Sequence, residues 1–139
     1  MNRDPRYSPA VARHFSRPVN VGPLGGSGDN MFTGTAGRRD IGAHVRFEAE
    51  IEAGRILRVA FQAYGCPHTI AACSLATQGL EGAPAEALVG VDVDALRSAL
   101  DVPVEKTGRL LIVQDALHDC FHAWENRRLA DSRGQGSPA

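Results

Sequence analysis

The chain has no surplus of charge of either sign. It carries 15 Lys and Arg against 16 Asp and Glu, a formal net charge of −1. A protein that holds nucleic acid electrostatically normally shows a strong basic excess, so nucleic acid is not an expected partner. No run of 18 apolar residues occurs, so no membrane span is expected. The opening twenty residues are too polar for a secretory hydrophobic region, and the expected compartment is the reducing cytoplasm. Cysteine is scarce and odd in number: Cys66, Cys73 and Cys120. If Cys66 and Cys73 share one helix, their Cα atoms lie roughly 10 Å apart, beyond disulfide reach. Each thiol must then be core filler, metal ligand or reactive group. No internal repeat is visible. A chain of 139 residues, 43% hydrophobic and 22% charged, suits one domain with one core.

What is present sorts into strands first and helices later. Ser8 to Phe15 reads as a short helix with Ser8 as cap, Pro9 in the first turn, and Val11, His14 and Phe15 on one side. Pro18 to Gly37 is rich in glycine and proline and is expected to be mostly loop. Ala43, Val45, Phe47, Ala49 and Ile51 alternate with polar residues, the period of a half-buried strand. After the "EAGR" turn, Leu57, Val59, Phe61 and Ala63 alternate again, which completes an antiparallel hairpin. A helix follows from Pro67, with Ile70, Cys73, Thr77 and Leu80 at helical spacing and Gly82 as its stop. "APAEALVG" and "DVDALRSAL" read as short helices, the second capped by Asp92. Thr107 is the expected cap of a final helix with Leu110, Val113, Leu117, Cys120, Phe121 and Trp124 as its apolar stripe. Residues 129–139 have the composition of a disordered tail. The expected class is α+β, a small antiparallel sheet of about three strands with helices packed on one face.

The chemistry concentrates at "AYGCPHTIAACSLAT", Ala63 to Thr77. Cys66 falls where a strand hands over to a helix. The first turn of a helix offers unpaired N–H groups and partial positive charge, which favour the thiolate. A protonated His68 would favour it further. Cys73 and Cys120 fall on apolar stripes and read as core. His118 and His122, four apart, have zinc-ligand spacing, with Asp115 and Glu125 on the same side. They lack a clear third ligand on another element and read as a solvated face.

Three segments carry a family resemblance. "YSPAVARHFSRPVNVGPL", "LRVAFQAYGCPHTIAACSLAT" and "DVPVEKTGRLLIVQDAL" are similar to the opening, the second-cysteine segment and the final helix of the U-type iron–sulfur cluster assembly scaffolds, the IscU and NifU N-terminal family. The resemblance spans Tyr7 to about Trp124 and implies an IscU-like domain over residues 1–128. It implies a non-enzymatic scaffold that carries a transient iron–sulfur cluster, iron or zinc. The implied partners are a cysteine desulfurase or another assembly protein, and a homo-oligomer is compatible with it. Position by position, the family's ligand aspartate falls on Asp40 and its second cysteine on Cys66. The first cysteine falls on Arg38, and the histidine and third cysteine fall on Gly108 and Arg109. Lys106 takes the place of the lysine in the family's chaperone-recognition segment, although "VPVEK" departs from that motif.

The resemblance thus implies Cys66 and Asp40 as the metal and cluster ligands of a degenerate site. Arg38 and Arg109 can bring two permanent cations to it, which suits an anion or a salt-bridged closed site better than a bare metal. Three readings follow. The chain handles sulfur or a cluster at Cys66 with ligands supplied by a partner; or it is a pseudo-scaffold that keeps the fold to bind an anion or a partner protein; or it is a thiol-dependent enzyme using Cys66, His68 and the arginines.

Overall fold

The structure, a computed structural model, describes residues 7–25 and 28–136. The elements run α1 (Pro9–Ser16), β1 (Met31–Arg38), β2 (Ala43–Glu52), β3 (Arg55–Tyr64), α2 (Pro67–Thr77), α3 (Val93–Leu100) and α4 (Thr107–Gly136). The three strands form one antiparallel sheet in the order β1-β2-β3. This is the expected α+β architecture.

Period-two burial is unbroken in the central strand. Ala43, Val45, Phe47, Ala49 and Ile51 are all buried, while His44, Arg46, Glu48 and Glu50 stay partly exposed on the other face. The buried face meets the helices. Burying one Val or Phe side chain contributes roughly 1.5–3 kcal/mol, so a one-residue slip of β2 would forfeit several such contributions together.

β3 departs from its expected alternation. The register shifts between Glu50 and Ile51, so that Ile51 faces Ile56 while Glu50 faces Arg58. Leu57 is the extra residue, and it turns outward while Ile56 is buried. A bulge of this kind inverts the side-chain phase of the residues on one side of it. Further along, Val59, Ala60 and Phe61 are buried in succession. Ala60 faces away from the helices but is covered by the segment entering from α1. That segment bonds the free edge of β3 through Phe61 N–H to Asn20 O (2.9 Å) and Gly22 N–H to Phe61 O (2.8 Å).

Two segments correct the sequence expectation. Met31–Arg38, within the stretch read as loop, is the edge strand β1. Its alternation is masked because glycine takes positions where a side chain would mark the inward face. Gly34 is buried, and a Cβ there would lie 2.2 Å from Cys120 N and 2.3 Å from Ala116 O. Glycine is what lets the backbone of α4 rest directly on the sheet. At the other end, the expected tail is helical through Gly136. Arg127 ties this extension back: it donates to Asp29 O (3.0 Å) and lies 3.4 Å from Asp131. Residues 137–139 of that tail, 26–27 of the expected loop and 1–6 of the expected domain lie outside the described residues.

The helices otherwise follow their signals. Ser8 caps α1, accepting from Val11 N–H (3.1 Å) and donating to Leu100 O. Val11 and His14 are buried, but Phe15 is exposed rather than on their side. Asp92 caps α3 through Ala95 N–H (3.3 Å). Thr107 does not cap α4; it is already helical, and its hydroxyl donates back to Val104 O (2.6 Å). α2 ends at Thr77, before the expected stop at Gly82. It is buried nearly all round, with α1 and α3 packed against it. Between α1 and α2, His14 Nδ1 lies 2.9 Å from Ser74 Oγ, which also accepts from Val19 N–H (3.0 Å). Among the described residues no helix is long and apolar enough to cross a membrane.

Candidate functional site

Cys66 is the N-cap of α2, in extended conformation, with Pro67 as the first helical residue. The β3–α2 junction places it half-buried at the end of the sheet, where its Sγ meets the first turn of the helix. Thr69 Oγ1 lies 3.7 Å away and His68 Nδ1 3.9 Å. Gly65 makes this geometry possible, because a Cβ there would sit 2.9 Å from the Thr69 side chain. Burial pushes the Cys66 thiol up. The Thr69 N–H and hydroxyl, the His68 N–H and the Arg109 guanidinium push it down by more, and the balance lies below the usual thiol value. That is the behaviour of a thiol at a helix N-terminus beside a cation.

Of Arg38 and Arg109, the pair that the family resemblance sets at ligand positions, Arg109 is the one whose charge acts on the Cys66 thiol. It rises from the start of α4, and its guanidinium passes 3.5 Å from where a Cβ on Gly42 would stand. The start of α4 and the turn after β1 therefore meet at Arg109 and Gly42, and the Arg109 charge is felt at Cys66. Arg38 does something else. Its Nε donates to Asp40 Oδ1 (2.9 Å), and its second nitrogen bonds Asp40 Oδ2, a two-pronged pair at the surface. The side chains are 71% and 61% exposed. The Arg38 hydrogen bond holds the Asp40 carboxyl below its ordinary value. Both carboxylate oxygens face the guanidinium, so a metal would have to displace a cation from Asp40 before using it.

His68 corrects a second expectation. It is 3% exposed, its ring lies 5.0 Å from that of Tyr7, and Nε2 has no hydrogen-bond partner among the described residues. Burial, and then the charge of Lys106, lower its pKa. The shift disfavours the protonated imidazole that the sequence reading invoked, whereas the Arg109 guanidinium is a permanent cation that acts on the thiol. Thr69 is the contributor that the sequence reading missed. Its signal was position: the third residue after an N-cap places its N–H against the cap side chain.

The remaining candidates are structural or apart. Cys73 is fully buried, and burial pushes its thiol far up. Burial, with help from Asp119, pushes Cys120 up to about 12. All three cysteines are free. His122 is exposed and His118 half-buried. Among the described residues no three His, Cys, Asp or Glu side chains are grouped to hold a metal ion. Gly108 offers no donor and has open space around it.

The sequence pattern of the NifU-like N terminal domain matches residues 6–131. The chain is 30% identical over 122 residues to the iron-sulfur cluster assembly protein IscU of Plasmodium falciparum, covering 88% of this chain and 74% of that one. It is 28% identical over 123 residues to the iron-sulfur cluster assembly scaffold protein IscU of Azotobacter vinelandii, covering 88% and 96%. In fold it resembles the crystal structure of the N-terminal part of a NifU-like protein from Brucella abortus, with a TM-score of 0.66 at 17% identity over 87% of this chain and 95% of that one. A sheet of three antiparallel strands, a cysteine at the β3–α2 junction and a match over nearly the whole chain lead to one assignment: the protein belongs to the NifU-like N-terminal domain family.

Proposed function

We propose that this chain serves iron–sulfur cluster assembly as a scaffold-like protein that handles sulfur on a single thiol, Cys66. The observation that carries the reading is the pairing of two facts. Cys66 sits at a helix N-terminus within the field of the Arg109 charge, and Asp40 is engaged by Arg38. The relatives named as cluster assembly scaffolds supply the pathway. The residues present fit a sulfur anion better than a cluster, since one thiolate and one guanidinium-bound carboxylate do not complete a metal site. The protein carries a group rather than converting a substrate.

The chemistry needs no oxidant. The Cys66 thiolate attacks the terminal sulfur of a persulfide on a donor such as a cysteine desulfurase. The new S–S bond forms on Cys66, the donor S–S bond breaks, and the donor leaves as a thiolate. The product on Cys66 is again an anion, which the first-turn N–H groups and Arg109 stabilise. Anaerobic incubation with a cysteine desulfurase and cysteine, followed by mass spectrometry, tests this. The expected result is the mass of one added sulfur on the peptide containing Cys66, absent in Cys66→Ser. Failure of the wild-type protein to take up sulfur overturns it.

A second reading is favoured by the closed Arg38–Asp40 pair: a pseudo-scaffold that keeps the fold to dock a partner. In that case Cys66→Ser leaves cluster assembly in cells unchanged. A cluster completed by ligands from a partner chain is distinguished by iron retained on the complex with that partner and lost with Cys66→Ser.

A further inference from the structure

The solvent face of the sheet carries a second polar site that sulfur handling at Cys66 does not use. A cleft of about 340 Å³ opens there, lined by Arg39, His44, Arg46, Gln62, Ala63 and Tyr64. The register accounts for it. His44 pairs with Tyr64, and Arg46 with Gln62, on the face opposite the buried Val45 and Phe47. Arg39 folds over from the turn after β1, and its guanidinium stacks 5.3 Å from the centre of the Tyr64 ring. Three elements, the turn after β1, β2 and β3, therefore deliver two guanidinium groups, an imidazole and an amide to one concavity of ligand size.

The charges in the cleft are unbalanced. Glu48 stands 3.8 Å from a terminal nitrogen of Arg46, one carboxylate against two guanidinium groups. Arg46 Nε is covered and has no hydrogen-bond partner among the described residues. The Arg46 side chain is 43% exposed, so a ligand in the cleft meets the open edge of the guanidinium rather than the covered Nε. Donors that converge from three elements suit a group whose oxygens point in several directions, a tetrahedral oxyanion, better than a planar carboxylate. Guanidinium groups match phosphate oxygens with paired N–H bonds.

We propose that this cleft binds a phosphate group, with Arg46 and Arg39 as its principal donors and His44 and Gln62 completing the contact. The phosphate is either free or carried on a small molecule whose body rests near Tyr64. The site is separate in residues from Cys66, so neither proposal depends on the other.

The experiment is a titration of the isotopically labelled full chain with inorganic phosphate, phenyl phosphate and acetate, followed by amide NMR shifts. Saturable shifts centred on His44, Arg46 and Gln62, with a Kd near or below about 1 mM for a phosphate ligand, are expected. Arg46→Gln and Arg39→Gln should each weaken binding about tenfold, the scale of a charged hydrogen bond. Arg39 is exposed on a turn, so its variant keeps the fold, and an unchanged melting temperature checks this. Tighter binding of phenyl phosphate assigns an organic phosphate, and equal binding assigns free phosphate; both support the site. No saturable shift with either phosphate, equal affinity for acetate, or undiminished binding in both variants overturns it.

Discussion

Replacing Gly34 by alanine tests the packing on which the functional end of the molecule depends. The added Cβ would stand 2.2 Å from Cys120 N and 2.3 Å from Ala116 O, both backbone atoms of α4. Ordinary contact begins near 3.4 Å, so the helix must retreat from β1 by about 1.2 Å at that point. Neither atom can rotate away as a flexible side chain would. Overpacking of this kind costs roughly 1–3 kcal/mol. For a domain of this size each 1 kcal/mol moves the melting temperature by about 3–5 °C, so Gly34→Ala should melt roughly 3–15 °C lower. The consequence reaches the thiol, because α4 begins at Thr107 and carries Arg109. Moving the helix loosens the Arg109 guanidinium near Cys66 and should slow alkylation of Cys66 at neutral pH. Thermal denaturation followed by circular dichroism, together with iodoacetamide rates, reads both effects. A variant that melts within 1–2 °C of wild type, a range set by about 0.5 kcal/mol, would refute direct backbone-on-sheet contact at Gly34.

Three further outcomes follow from particular residues. Gly108 lies in the first turn of α4 with open space around it, so Gly108→Ala should stabilise the protein by about 0.5–1 kcal/mol, seen as a raised urea midpoint. Among the thiols only Cys66 should react rapidly with a disulfide reagent in the native state. Arg109→Gln and Thr69→Val should each slow it, whereas Cys73 and Cys120 should react only on unfolding. His14 and His68 both have pKa values below the free value of 6.5, His14 through burial and then Arg13, His68 through burial and then Lys106. The unfolded chain then binds more protons than the folded one, so stability is fully present above pH 6.5 and is lost as pH falls through the lowered folded values. Urea melts between pH 7 and pH 5 should show this loss, and His14→Gln should flatten it; a stability that rises on acidification in this window would contradict neutral histidines.

Residues with a strong local signal declared themselves. The period of Ala43 to Ile51 specified β2, the stripe from Leu110 to Trp124 specified the buried side of α4, and the strand-to-helix switch at Cys66 specified the candidate site. Cys73 and Cys120 were legible as core for the same reason. β1 was not legible, since its inward position Gly34 has no side chain to mark a period. Its strand character comes from pairing with β2 and from contact with α4. Helix persistence past Leu129 was also hidden, because local composition there argues for disorder while Arg127 anchors the segment to Asp29.

Sequence alone, then, fixed the elements whose side chains alternate in and out of the core, and it located the thiol at their junction. Which arginine's charge acts on that thiol was decided by the tertiary structure. So were the pairing of Asp40 with Arg38, the lowered pKa of His68 beside Tyr7, and the gathering of Arg39 and Arg46 over the outer sheet. The physical reason is that hydrophobic burial follows a period along the chain, whereas charge pairing and desolvation depend on distances between segments far apart in sequence.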